Sequence, residues 1–69
     1  MANSTIELVK ENIKKYRIEA KLTQEQLSEL AGISCDYLSE LERGKRVPSL
    51  KRLILIAEAL KIEPYKFLK

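Results

Sequence analysis

Apolar residues recur along much of the chain at steps of three and four, the spacing of one face of a helix. The first such stripe runs to about Ala20 and consists of Ile6, Val9, Ile13, Tyr16 and Ala20. It is preceded by a capping-box sequence in which Ser4 caps the helix and Glu7 reaches back to it. Arg17 lies on the same stripe, so one charged side chain is predicted on the inner face.

Two shorter segments follow, each with the start and stop signals of a helix. Residues 23–26 form a second capping box, and Gly32 stands where a helix end needs positive φ. Ser34 is predicted to cap the third helix, and Gly44 to end it. The inward side chains of these two helices are predicted to be Leu27, Leu30, Ala31, Leu38 and Leu41.

Two further helical segments complete the pattern. Ser49 is predicted to cap a helix from Leu50 to about Leu60. Residues 63–64 open a short helical turn, with Pro64 at its first helical position. Five helical segments without a strand pattern predict a single all-α domain over residues 1–69.

The second and third helices together have the spacing of a helix-turn-helix, over about residues 23–42. Ser28 is small where the two helices cross, Gly32 bends the chain, and Leu38 and Leu41 fix the second helix against the first. This motif by itself also occurs in other helical proteins.

Composition narrows the function classes. The chain has 69 residues, a formal charge of +3, a single cysteine and no histidine. An intrachain disulfide is therefore impossible, and neither a structural metal site, a cofactor, a small-molecule ligand nor a catalytic triad is expected. No apolar run approaches the roughly 20 residues that span a bilayer, and no signal-peptide pattern opens the chain. We expect a cytoplasmic protein that is not an enzyme and has no membrane partner.

Basic residues are concentrated directly after the third helix. Five of them fall within ten positions: Arg43, Lys45, Arg46, Lys51 and Arg52. A basic cluster of this kind is compatible with nucleic-acid binding.

Nearly the whole chain resembles the Cro/CI-type (XRE-like) helix-turn-helix family of phage and bacterial repressors. The matching motifs are Leu-Thr-Gln at 22–24, Gly-Ile-Ser at 32–34, Glu-Arg-Gly at 42–44 and Pro-Ser-Leu at 48–50. The resemblance implies a five-helix, lambda-repressor-like fold and a homodimeric transcriptional regulator, for which repression is favoured and activation stays open. Such dimers bind nearly palindromic operators in double-stranded DNA through successive major grooves. Residues 37–39 and 42–44 also resemble the controller proteins of restriction–modification systems, although those commonly have Arg where this chain has Cys35.

The third helix has an outward face that the resemblance assigns to DNA. At about 100° per residue, one arc contains Cys35, Asp36, Ser39, Glu40 and Arg43. A carboxylate can accept a hydrogen bond from the cytosine amino group in the major groove. Asp36 and Glu40 are thus either readers of bases or solvated spectators, and Cys35 is either an exposed contact or a redox switch.

Other contacts are carried over from the family position by position. Thr23 and Gln24 match the start of the second helix, where phosphate is bound, and Arg43, Lys45 and Arg46 are expected to hold the backbone beyond the third helix. A solvated basic loop is the alternative for these three. Ser34 is expected chiefly to cap the third helix and secondarily to contact DNA. Tyr37 is expected either to contact DNA or to pack against its neighbours.

The resemblance also implies a structural ion pair between Arg17 and Glu42, the alternative being two solvated side chains. At the C-terminal end, the apolar excess predicts a homodimer interface formed by Leu55, Ile62, Tyr65, Phe67 and Leu68. A fully enclosed central helix in a monomer is the alternative. Two other possibilities remain open: a protein-binding adaptor on the same fold, such as an antitoxin or anti-repressor, and one portion of a longer regulator.

Overall fold

The computed structural model describes residues 4–69, with side chains from Thr5 onwards. They form the four α-helices α1 (Ser4–Glu19), α2 (Gln24–Ala31), α3 (Cys35–Glu42) and α4 (Leu50–Leu60), followed by the 3₁₀ helix η1 (Pro64–Leu68). The predicted capping role of the Ser4 side chain lies outside the described residues. Glu7, its predicted partner, forms an ion pair with Lys10 at 2.8 Å.

The prediction of a fifth α-helix needs correction, because residues 64–68 form one short 3₁₀ helix. Pro64 has no N–H to donate, and the N–H of Lys66 donates to the carbonyl of Glu63, three residues back. Five residues hold this tighter geometry easily, whereas longer runs rarely do.

The predicted caps of the helix-turn-helix are confirmed. In the capping box of α2, the N–H of Gln26 donates to Thr23 Oγ1 at 3.0 Å, and the Thr23 N–H donates to Gln26 Oε1 at 2.9 Å. Gly32 ends α2 with φ at +72°. Ser34 begins α3 by accepting from the Tyr37 N–H at 3.0 Å. The turn between the two helices is therefore set by local hydrogen bonds and one left-handed residue.

A single core joins all the elements. Its fully buried side chains are Ile13, Leu27, Leu38, Leu41, Ile56, Ala57 and Phe67. The helix α2 packs against both α3 and α4, while η1 packs chiefly against α1. This arrangement leaves the outer side of α3 facing solvent. Within residues 4–69, no helix has the length and hydropathy needed to cross a membrane.

Three predicted inward or interface positions are wrong. Leu30 is 62% exposed, because α2 is covered along the side that carries Leu27, Ser28 and Ala31, about 100° around the helix from Leu30. Ala20 is exposed because α1 has ended and the chain is turning.

Phe67 is the third, and it is removed from the predicted dimer interface. Its side chain is fully buried within the chain, and its ring meets that of Tyr16 edge to face with centroids 6.1 Å apart. Asn12, which the apolar pattern missed, is buried as well and donates to the Phe67 carbonyl at 2.9 Å. The C-terminal segment is thus fixed to α1 by an aromatic pair and a buried hydrogen bond.

Candidate nucleic-acid interface

The outward side of α3 is the first part of the candidate interface. Leu38 and Leu41 are buried, so the helix is anchored along one side only. Of the five predicted outward residues, Cys35, Asp36 and Arg43 are exposed, and Ser39 and Glu40 are half-buried. The geometry therefore presents a short helix, open along one side, with its polar side chains accessible.

A buried ionic network fixes the angle of this helix. Arg17 Nε donates to Glu42 Oε2 at 2.7 Å, and Arg17 Nη2 donates to Glu42 Oε1 at 3.0 Å. The side chains are only 12% and 3% exposed, respectively. The ion pair that the sequence predicted between α1 and α3 is therefore present, in bidentate form.

The same network extends to both neighbours of α3. Arg17 Nη1 donates to the Leu22 carbonyl at 2.8 Å, and Gln24 Nε2 donates to Glu42 Oε1 at 2.9 Å. Glu42 thus accepts three hydrogen bonds, and no buried side-chain nitrogen or oxygen in residues 4–69 lacks a partner. The start of α2 and the end of α3 are consequently held in one fixed relation.

The two acids on the outward side have different surroundings. Glu40 Oε1 accepts from Arg46 Nε at 2.5 Å, so its charge is already paired. Asp36 is exposed, and no described side chain forms a salt bridge with it. Asp36 is therefore the carboxylate that is free to meet a ligand.

Three basic residues predicted to hold the DNA backbone lie directly beyond α3, and all are exposed. Arg43 Nε donates to the Ser39 carbonyl at 3.3 Å, which places its guanidinium along the end of α3. Arg46 is turned back toward Glu40, and Lys45 points into solvent without an ion-pair partner among the described residues. Arg43 and Lys45 therefore keep an uncompensated positive charge, whereas the charge of Arg46 is paired with Glu40.

Arg52 also lies at this surface, although the sequence pattern placed it only in the basic cluster and not among the predicted site residues. Its guanidinium carbon lies 5.0 Å from the centre of the Tyr37 ring, and that of Arg46 lies 5.7 Å from the same ring. Tyr37 is half-buried, so its side chain packs against its neighbours and is also partly accessible to solvent. The sequence signal that could have identified Arg52 is its place in the basic cluster, three residues after the Ser49 cap.

The start of α2 forms the other flank. Thr23 and Gln24 are both occupied within the protein, Thr23 as a cap and Gln24 as a donor to Glu42. The first N–H groups of a helix have no intrahelical acceptor and form a weakly positive end. Gln24 and Glu25 begin α2, so their N–H groups have no acceptor within the helix.

A separate apolar surface lies at the C-terminal end. Tyr65 and Leu68 are 54% and 53% exposed, while Leu55 and Ile62 are half-buried. These four remain from the predicted interface set. They lie on α4, on η1 and in the turn between them, and these two helices contact α1 and α2 more extensively than α3.

Comparison with known proteins identifies the architecture. The model of the Helix-turn-helix family matches residues 13–67. The control protein C.SmaI of Serratia marcescens is 39% identical over 62 residues, which cover 90% of this chain and 74% of that protein. Several other regulators that match are longer, and the chain spans less than half of their length.

Two solved structures share the fold. The restriction–modification controller protein C.AhdI from Aeromonas hydrophila superposes with a TM-score of 0.88 at 31% identity, covering 93% of this chain and 97% of that one. The P22 c2 repressor, in complex with a synthetic operator, superposes with a TM-score of 0.81 at 30% identity and covers 88% and 92%.

Proposed function

This chain belongs to the helix-turn-helix family, and from that premise we propose that it is a sequence-specific DNA-binding regulator of transcription, a repressor that works in the cytoplasm. The observation that carries the proposal is the open outward side of α3, held at a fixed angle by the Arg17–Glu42–Gln24 network. An exposed helix of this size fits the major groove of B-DNA. The P22 c2 repressor, of similar fold, is bound to an operator.

Asp36 is the principal reader of base sequence in this proposal. It lies in the first turn of α3, where recognition helices contact base edges, and its carboxylate is unpaired among the described residues. A carboxylate repels phosphate and accepts from the cytosine amino group, so it favours cytosine over guanine and thymine, whose major-groove edges carry only hydrogen-bond acceptors. The neighbouring Cys35 and Ser39 complete the face that meets the groove.

Affinity comes from the two flanks of α3. The N–H groups that begin α2 bind a phosphate on one side, with Thr23 and Gln24 beside them, and Ser34 contacts DNA at the start of α3. Arg43 and Lys45 bind the backbone on the other side, and Arg46 joins them when it leaves Glu40. Several phosphate contacts per subunit would make binding fall steeply with salt.

The regulator is proposed to act as a homodimer through its C-terminal apolar surface. Tyr65 and Leu68 are more than half exposed and lie three positions apart in η1, so they offer an apolar surface for a second copy to cover. A two-fold pair joined there presents one α3 to each half-site, about 34–36 Å apart. Replacement of Leu68 by Lys should then yield monomers in sedimentation equilibrium, whereas the equally exposed Leu30→Lys should leave the dimer intact.

The test of DNA recognition is selection from a random duplex pool at about 100 mM salt, followed by sequencing of the bound fraction. We expect enrichment of an inverted repeat whose half-sites are about 10–10.5 base pairs apart. Cytosine at a fixed position should be lost with Asp36→Ala and retained with Glu58→Ala, which removes an exposed acid on α4. A folded, dimeric protein that enriches no sequence would instead point to an adaptor whose acidic α3 binds another protein.

A finer assignment, as the controller protein of a restriction–modification system, is supported by the similarity to C.SmaI and C.AhdI. It predicts that the selected operator occurs beside genes for a restriction endonuclease or its methyltransferase. Operators found only beside unrelated genes would argue against this assignment and leave the regulator proposal standing.

A further inference from the structure

An open cleft beside α3 contains an arginine to which the proposed contacts give no role. The cleft has a volume of about 490 Å³ and lies between the start of α3 and the first turn of α4. Its charged and aromatic lining consists of Asp36, Tyr37, Glu40, Arg46 and Arg52. Two guanidinium groups lie near one aromatic ring in this cleft, and two carboxylates share it with them.

The two arginines differ in how their charge is compensated. Arg46 Nε donates to Glu40 at 2.5 Å, whereas no carboxylate among residues 4–69 lies within 4.0 Å of the Arg52 guanidinium. Glu40 therefore neutralises Arg46 before any ligand arrives. Arg52 keeps its full charge, and an anion can bind it without breaking an ion pair.

The contact with Tyr37 orients Arg52 without using its hydrogen-bond donors. Its guanidinium carbon lies 5.0 Å from the ring centre, a cation–π distance. A guanidinium carries its N–H groups around the edge of its plane, so donors remain available while it rests on a ring. The backbone below it is fixed as well, because the Arg52 N–H donates to the Ser49 hydroxyl at 3.2 Å.

We propose that Arg52, positioned by the Tyr37 ring, binds a phosphate of the DNA backbone on the α4 side of the recognition helix. This inference rests on the proposed function and adds to it a contact from a helix outside the helix-turn-helix. It also assigns Arg46 a secondary role at this flank, since Arg46 must first release Glu40.

The test measures Kd for the selected operator and for an unrelated duplex between about 50 and 200 mM salt. Arg52→Gln keeps helix propensity and removes one charge. The logarithm of the association constant falls linearly with the logarithm of the salt concentration, and this variant should make that fall less steep by about 1 per subunit. It should also raise Kd about tenfold on both duplexes, as expected for one charge-assisted hydrogen bond. Tyr37→Leu keeps the charge, so it should weaken binding while leaving most of the slope.

Lys14→Ala is the matched control, because it removes one exposed charge from α1 and leaves a good helix former. Thermal unfolding of each variant checks that the fold is retained. An Arg52→Gln slope equal to that of wild type, or to that of Lys14→Ala, would overturn the phosphate contact. If wild type still selects an operator in that case, the proposed function stands; a wild type that binds neither duplex would overturn both.

Discussion

The chain contains two Arg–Glu pairs in opposite environments, and their removal should have very different consequences. The Arg17–Glu42 side chains are 12% and 3% exposed, whereas those of Arg46–Glu40 are 58% and 36% exposed. Breaking a buried pair leaves a charge without compensation, at a cost of about 3–5 kcal/mol. An exposed pair typically contributes about 0–1 kcal/mol.

The hydrogen bonds show which single change should be worse. In Arg17→Ala, Glu42 loses two of its three donors and keeps only Gln24, while the Leu22 carbonyl loses its partner. In Glu42→Ala, Arg17 keeps the Leu22 carbonyl and is exposed enough to reach water. We therefore expect the larger loss, about 3–5 kcal/mol, for Arg17→Ala and a smaller one for Glu42→Ala.

Urea unfolding followed by circular dichroism gives these free energies, with an unchanged m value as the check on two-state behaviour. In a domain of this size, a loss of about 3 kcal/mol should lower Tm by roughly 12–24 °C. The double variant Arg17→Met/Glu42→Leu removes both charges and restores packing. It should be more stable than either single alanine variant.

Two results would refute this reasoning. The first is a pair of single alanine variants that each lie within about 1 kcal/mol of wild type, since that is the range of an exposed pair. The second is an Arg46→Ala variant that loses as much stability as Arg17→Ala. Either result would mean that burial does not determine how much the Arg17–Glu42 network contributes to the free energy of unfolding.

Four further predictions concern the backbone and the C-terminal anchor. Gly32→Ala should lose about 1 kcal/mol in urea unfolding, because φ is +72° although a Cβ there would meet no atom within 4 Å. Gly44→Ala, with φ +77° and a Cβ only 2.9 Å from Lys10 Cδ, should lose more, and the excess should vanish in a Lys10→Ala background. Lys61→Gly should raise the free energy of unfolding by about 1 kcal/mol, since Lys61 holds φ +60° at the end of α4; a lower Tm would contradict this. Asn12→Ala should cost about 1–3 kcal/mol and speed tryptic cleavage after Lys66, because the Phe67 carbonyl loses its donor at 2.9 Å.

Much of the helix-turn-helix could be predicted from the sequence because its determinants are local. The capping box at Thr23, the left-handed Gly32 and the Ser34 cap each depend on residues three or four positions away. Apolar periodicity likewise placed Leu38 and Leu41 in the core. The Arg17–Glu42 pair is different, since its partners are 25 residues apart and only the family resemblance joined them.

The errors arose where helix packing decides which positions are covered. Leu30 fits the apolar stripe of α2, yet α3 and α4 cover the neighbouring side and leave it exposed. Phe67 is in the core because η1 folds back onto α1, and Asn12 is buried because it holds that segment there. Periodicity reports which side chains share a face, but it does not report which faces meet.

Sequence by itself therefore determined the helices, their caps and the position of the helix-turn-helix, since these depend on short-range hydrogen bonds and side-chain spacing. Only the tertiary structure decided which charges are free at the candidate interface. Packing of α3 beside the loop and α4 pairs Glu40 with Arg46 and brings Arg52 onto Tyr37, leaving Asp36 and Arg52 unpaired among the described residues. Coulomb interactions depend on distance in space, and residues 37 and 52 become neighbours only when the helices pack.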